Sequence, residues 1–377
     1  MSSAEFSPSH ASVFAAIAAV QGRSRSRAWV AWAGLACLLP LTACHRTESV
    51  QHGFRGQAAV QLYETKKLAA AAELNSIPPP EEEAEQDSPL ASEVFKNVKV
   101  LGDVKATEFS RLMQALSTWV APEQGCGFCH NPKKLDSDEK YTKVVARRML
   151  QMTRKINTDW KVHVAGTGVT CWTCHRGQAV PSGDWFSAPV ASGAPRMVGA
   201  PVGKNHPATV AAGSALPTDP LSAFLISDAN LRVQGTVPLA GENRQSIKQA
   251  EWTYSMMIYM SNSLGVNCTY CHNSRALARW DQSTPQRATA WHGLRMVRNL
   301  NSEYLIPLQP VFPANRLSPQ GDGPKVGCAT CHKGAFKPLY GVSPLTDYPI
   351  LAGATPPAAS ASAPSADAAA VKVALEK

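Results

Sequence analysis

The chain has 377 residues, among them ten cysteines, with 37 Lys and Arg against 28 Asp and Glu. That length allows two ordinary domains, and ten cysteines are too few for a disulfide-dense mini-domain. A formal charge of +9 would suit nucleic acid, but no basic run with interleaved aromatics occurs, so no nucleic-acid partner is expected.

In chain order, residues 1–43 read as a secretory leader. Arg23, Arg25 and Arg27 form a basic start, Ala28 to Leu41 an apolar stretch, and Leu41-Thr42-Ala43-Cys44 puts small residues before a cysteine. The last four resemble a bacterial lipobox, which makes Cys44 the lipidated N-terminus of an exported protein. The apolar run is shorter than the roughly 20 residues of a spanning helix, and two or more acyl chains hold a protein stably at a membrane surface. Loss of residues 1–43 removes three Arg and one Glu, lowering the charge from +9 to +7. Residues 44–93 follow as an anchor and linker region, ending in Pro78-Pro79-Pro80 and an acidic run from Glu81 to Asp87 that reads as solvated.

The spacing of Phe109, Leu112, Met113, Leu116 and Val120 predicts a first long helix, and Val145, Met149, Met152 and Ile156 predict a second. Residues 94–186 form a first module. Residues 187–221, rich in Ala, Pro, Gly and Ser, are a connector. A second module spans 222–345, with a helix carrying Thr253, Met257, Met260 and Leu264 and another around Met296, then a Pro-rich insertion between Asn301 and Cys328. Residues 346–377 are expected to be a disordered Ala/Pro tail. Strand patterns are weak, so the expected class is mainly α with extensive coil.

Eight of the ten cysteines fall in four copies of one motif. These are Cys126-Gly-Phe-Cys129-His130, Cys171-Trp-Thr-Cys174-His175, Cys268-Thr-Tyr-Cys271-His272 and Cys328-Ala-Thr-Cys331-His332. Cys-x-x-Cys-His is the signature of c-type haem attachment. Two thiols bind the porphyrin edge, and the adjacent imidazole reaches the iron. Zinc would take its His several residues away. Four covalently bound haems c are therefore expected, and their eight propionates offset most of the positive charge, some of it through Lys and Arg.

The motifs also repeat in pairs. The first and third carry an aromatic before the second Cys and Asn131 or Asn273 after the His; the second and fourth continue as Arg176-Gly177 and Lys333-Gly334. Two pseudo-symmetric two-haem modules follow. Met113-Gln-Ala-Leu116 aligns with Met257-Ile-Tyr-Met260, so Met113 and Met257 are the expected sixth ligands of haems 1 and 3, with Met257 preferred over Met256. For haem 2 the periodicity leaves Met149 and Met152 equal. Met152 aligns with Met296, which sets Met149 opposite Gly293. Either Met152 and Met296 both ligate, or Met149 serves haem 2 and haem 4 borrows a ligand. His163 is then the best candidate and His292 its local rival.

Val98-Lys-Val-Leu-Gly-Asp103, Leu112-Met113, Trp119-Val120, Pro122 and Gly125-Cys-Gly-Phe-Cys-His-Asn131 together resemble the tetrahaem cytochrome c subunit of purple-bacterial photosynthetic reaction centres, over about Val94 to Tyr340 plus the lipobox. The resemblance implies Met149 for haem 2, bis-His ligation of haem 4 by His332 and His163, and a spatial haem order of 1, 2, 4, 3. It also implies an electron-transfer subunit, not an enzyme, with no catalytic residue. Such a subunit sits on the L and M subunits at the periplasmic face of the inner membrane and re-reduces the photo-oxidised special pair. A soluble cytochrome c or high-potential iron–sulfur protein is the implied donor. The competing reading is a multihaem oxidoreductase with one open haem, most plausibly haem 4, acting on a small substrate.

Overall fold

The computed structural model describes residues 47–51, 60–85, 87–187, 206–207, 209–217, 219–231, 233 and 247–353. The leader, Cys37, Cys44, most of the connector and residues 354–377 lie outside them. The chain divides into residues 1–48 and residues 49–377, and the description that follows concerns the second unit.

Helices dominate, as the composition and periodicity predict. The main ones are α1 (Thr65–Leu74), α2 (Ala106–Val120), α3 (Tyr141–Asp159), α4 (Cys171–His175), α5 (Pro220–Leu225), α6 (Ile247–Leu264), α7 (Pro285–Leu300) and α8 (Cys328–His332). Strands are short, for example Val60–Glu64 and the antiparallel pair His206–Pro207 with Ala215–Leu216. Two helix starts carry local signals. Asp219 caps α5 by accepting from the Ser222 backbone N–H, and proline opens both α5 and α7, where the missing N–H costs nothing. Among the described residues no helix is long and apolar enough to cross a membrane.

Among the described residues two apolar cores form. One gathers Leu101, Leu112, Ala115, Trp119 and Leu150 with Tyr348 and Leu351. The other gathers Phe224, Leu225, Met256, Tyr259, Leu294, Met296, Val297 and Leu300, and also takes in Ile156, Val169 and Trp185. Leu112 and Leu150 of the first core correspond in the repeat to Met256 and Leu294 of the second.

Matching buried asparagines brace the two cores. Asn157 donates to the Val169 and Leu351 carbonyls and accepts from the Val169 N–H. Asn301 does the same with Val326 and Leu225. The partners reveal a rearrangement. In the second repeat the wedge is α5, which precedes it in sequence; in the first, the C-terminal turn Pro349–Ala352 fills that role.

Three expected boundaries are corrected accordingly. Residues 346–353 of the expected tail are packed, because Tyr348 and Leu351 are wholly inside the first core and Arg111 donates to the Asp347 carbonyl; the rest of that span lies outside the described residues. The boundary at 221/222 cuts through α5, whose Leu221, Phe224 and Leu225 are buried together. The linker reading of 44–93 fails at its C-terminal end. Ala91 is fully buried, and Arg111 binds the carbonyls of Glu81 and Glu82 at 2.7–3.2 Å. Most of the acidic side chains there still face solvent.

Candidate haem sites

The four motifs adopt two local forms, in the pairs the sequence suggests. The first and third begin as 3₁₀ turns, Gly125–Phe128 and Cys268–Tyr270. The second and fourth are the helical turns α4 and α8, each ended by a left-handed residue, Arg176 (φ 50°) or Lys333 (φ 47°), and then a left-handed glycine. The N–H of Gly177 bonds the Trp119 carbonyl at 2.8 Å, and that of Gly334 bonds the Ser263 carbonyl at 2.9 Å. Each turn is thus fastened to the C-terminal end of the first long helix of its repeat, α2 or α6.

All four motif histidines present the same face. Nδ1 of His130 meets the Leu135 carbonyl at 2.8 Å and Nδ1 of His272 the Leu277 carbonyl at 2.9 Å. Nδ1 of His175 meets the Gln178 carbonyl at 2.8 Å and Nδ1 of His332 the Ala335 carbonyl at 2.9 Å. A carbonyl only accepts, so Nδ1 carries the proton and the Nε2 lone pair is left for a metal. Burial lowers the pKa of His175 and His272 and pushes His332 down to about 4, which keeps them in the neutral form that ligates. These four side chains fit the axial position of a c-type haem.

His163 shows the same signature away from any motif. Its Nδ1 bonds the Thr289 carbonyl of α7 at 2.9 Å, 126 residues along the chain, and burial lowers its pKa. Its ring lies 6.2 Å from that of His332, centroid to centroid. Two metal–imidazole bonds of about 2 Å each, plus roughly 1 Å from each nitrogen to its ring centre, span about 6 Å. The pair therefore stands at the separation of two imidazoles on one iron. His292 instead packs edge-on to Trp291 at 4.9 Å.

Among the methionines, Met256 is fully buried in the second core, whereas Met257 is only partly covered. Met113 is likewise partly covered beside the fully buried Leu112, one turn before Ser117, whose Oγ lies 3.5 Å from the Cys126 sulfur. Met149 lines a cavity of about 340 Å³ together with His175, Cys171, Leu116 and Val120. Met152 and Met296 are turned into the second core instead. Of the two α3 methionines that the periodicity left equal, Met149 is the one that shares a cavity with His175.

The sequence did not expose two features. The Pro-rich insertion folds back over the first repeat, and Phe312, Asn315, Arg316 and Leu317 close one side of the Met149 cavity. Its only signal was its presence in one repeat and not the other. Second, Cys174 and Cys331 are joined in a disulfide, with Cα atoms 4.4 Å apart. This departs from the expectation of eight haem thioethers, since a sulfur serves one bond or the other. It also places the second and fourth motifs back to back. Burial raises four other motif thiols, Cys129 among them, to about 12 at Cys171 and Cys328 and about 11 at Cys271. Next to this junction, burial brings Lys333 down to about 8 and Arg176 to about 10.

A family profile described as the photosynthetic reaction centre cytochrome c subunit matches residues 43–352. The chain belongs to that family. It is 47% identical over 326 residues to the photosynthetic reaction center cytochrome c subunit of Rubrivivax gelatinosus, covering 86% of this chain and 88% of that one. With the subunit of the same name from Thermochromatium tepidum it shares 45% over 323 residues, 85% and 79% of the two chains. Cytochrome c-554 of Chloroflexus aurantiacus is 27% identical over 294 residues, 66% of this chain and 70% of its own. Membership makes the protein a reaction-centre-associated electron-transfer component carrying c-type haem, and not an enzyme.

Proposed function

We propose that the chain is a tetrahaem subunit, lipid-anchored through Cys44 at the periplasmic face of the inner membrane, that re-reduces the special pair held by the L and M subunits. Its electrons come from a soluble cytochrome c or a high-potential iron–sulfur protein. Haems attach at Cys126/Cys129, Cys171/Cys174, Cys268/Cys271 and Cys328/Cys331. Loading the second and fourth sites requires the Cys174 and Cys331 sulfurs to be free thiols. The irons would be held by His130 with Met113, His175 with Met149, His272 with Met257, and His332 with His163. Two two-haem modules then run in the spatial order 1, 2, 4, 3, with the third haem facing the special pair.

Bound haem supplies one-electron redox chemistry, and the protein sets its potential through axial ligands, hydrogen bonding and burial. This chain's residues do four things toward it. The cysteines fix the ring. The carbonyls of Leu135, Gln178, Leu277 and Ala335 orient the imidazoles. The mostly apolar lining of the Met149 cavity, with Leu116, Val120, Val145 and Leu150, would surround the second haem with a low-polarity wall. With Met113, Met149, Met257 and His163 as second ligands, the irons would have no open position for a small substrate.

The observation that carries this reading is the convergence of His163 and His332 at 6.2 Å. It supplies a partner for the one iron whose own repeat offers no methionine in the slot. The same convergence weighs against the oxidoreductase reading, which needs an open iron. Flash photo-oxidation of the cytochrome in native membranes tests the function. Haem bleaching after the flash is expected, without carbon monoxide or cyanide binding by the unmodified protein. No flash response, or stoichiometric ligand binding at one haem, would favour the oxidoreductase instead.

A further inference from the structure

The structure assigns to Gly293 the choice of axial ligand at the fourth haem site; the inference rests on the proposed role of His163. Gly293 is buried in the middle of α7, where glycine is about 1 kcal/mol less favourable than alanine. The backbone there is ordinary helix, so no unusual conformation demands glycine. What demands it is space. A Cβ built on Gly293 would lie 2.6 Å from Cε1, 3.0 Å from Nδ1 and 3.1 Å from Nε2 of His163. The first distance is one that packed side chains do not show, and its partner is a rigid ring. One turn earlier, Thr289 offers the carbonyl that accepts the Nδ1–H at 2.9 Å.

The repeat gives this gap its meaning. Gly293 corresponds to Met149, which lines the cavity it shares with His175. The adjacent residues, Leu150 and Leu294, are buried in their respective cores alike. The same helical position therefore presents a thioether in α3 and a slot in α7, and the imidazole of His163 fills the slot. Gly293 touches the ligand and not the iron, so it is a positioning residue. By admitting His163 it makes the fourth haem bis-His and lowers its potential relative to a His/Met site.

Two substitutions in the full, haem-loaded protein test this: Gly293→Ala and Gly293→Met. Near-infrared magnetic circular dichroism, electron paramagnetic resonance and a redox titration are read on each. Gly293→Ala is expected to abolish the bis-His signal, spare the three His/Met signals and let carbon monoxide bind one haem in four. Gly293→Met is expected to replace the bis-His signal with a fourth His/Met signal and raise one potential of the four. Retention of the bis-His signal and its potential in both variants overturns the inference. His163→Leu separates this failure from that of the parent reading. If His163→Leu leaves all four spectra intact, His163 is not a ligand at all. If it abolishes the bis-His signal while both Gly293 variants keep it, only the role of Gly293 falls. Should Gly293→Met not accumulate, the double variant Gly293→Met/His163→Ala relieves the crowding. A fourth His/Met signal there supports the slot, and its absence counts against it.

Discussion

The first and second repeats have nearly the same framework and differ where it matters for chemistry. Trp119 and Ser263 fasten Gly177 and Gly334, and Asn157 and Asn301 brace the cores with the same three hydrogen bonds. Against this constancy, α3 offers Met149 where α7 offers Gly293. The first repeat borrows its wedge from residues 349–352, and the second borrows His163 from the first. The exchange teaches that neither repeat is complete alone. Each takes from beyond its own sequence span something it lacks: an apolar wedge in one case, an imidazole seated on α7 in the other.

The largest effect to break the comparison concerns the two methionines of α3. Met149→Leu should expose one iron of four to carbon monoxide and remove one His/Met band in the near infrared. Met152→Leu, its side chain turned into the second core, should leave all four spectra unchanged. A reversed outcome would return haem 2 to Met152 and undo the Gly293 correspondence.

Next come the wedges. Leu351 and Leu225 are both fully buried, and truncation of such a leucine costs about 3 kcal/mol, cavity term included. Leu351→Ala and Leu225→Ala should therefore lower the thermal midpoint by similar amounts. If Leu351→Ala is neutral, the C-terminal turn is not the counterpart of α5. The asparagines should follow closely. Asn157→Ala and Asn301→Ala each remove three buried hydrogen bonds, about 1 kcal/mol apiece, with comparable losses read from chemical denaturation.

The smallest effect distinguishes the repeats by acid. In the first, the Arg154 guanidinium grips Asp103 at 2.6 and 3.1 Å and holds its carboxyl below the usual range. Lys99 and Arg147 do the same to Asp138, more strongly. Depressed carboxylates contribute stability that is fully present above their unfolded values near 4. That stability is lost as pH falls through the lower folded values. Asp103 is 45% exposed, so screening limits its share to about 0.5 kcal/mol. Asp103→Asn should cost that same share, about 0.5 kcal/mol, at pH 7 and converge with the unmodified protein as the carboxyl protonates below pH 4, so its thermal midpoint should fall less steeply on acid titration.

Much of this was legible in the sequence because covalent chemistry is local. Four Cys-x-x-Cys-His motifs announce themselves without any fold, and helical spacing found α2, α3 and α6. Alignment of the repeats even marked Gly293 as the odd position, though periodicity alone could not choose between Met149 and Met152. The proposal of Met149 rests on burial, since both lie on one helical face and only the neighbouring core says which direction is inward. The wedge of residues 349–352 was illegible for a different reason. An Ala- and Pro-rich composition reads as disorder until one sees that Tyr348 and Leu351 have a hole to fill. The roof that Phe312 and Arg316 place over the Met149 cavity was hidden for the same reason: contacts across more than 140 residues leave no periodic trace.

The account stands most directly on the ligand count. Near-infrared magnetic circular dichroism of the oxidised, fully loaded protein should resolve three His/Met haems and one bis-His haem, the latter absent from His163→Leu. Four His/Met haems, or a bis-His haem that survives the loss of His163, would contradict it.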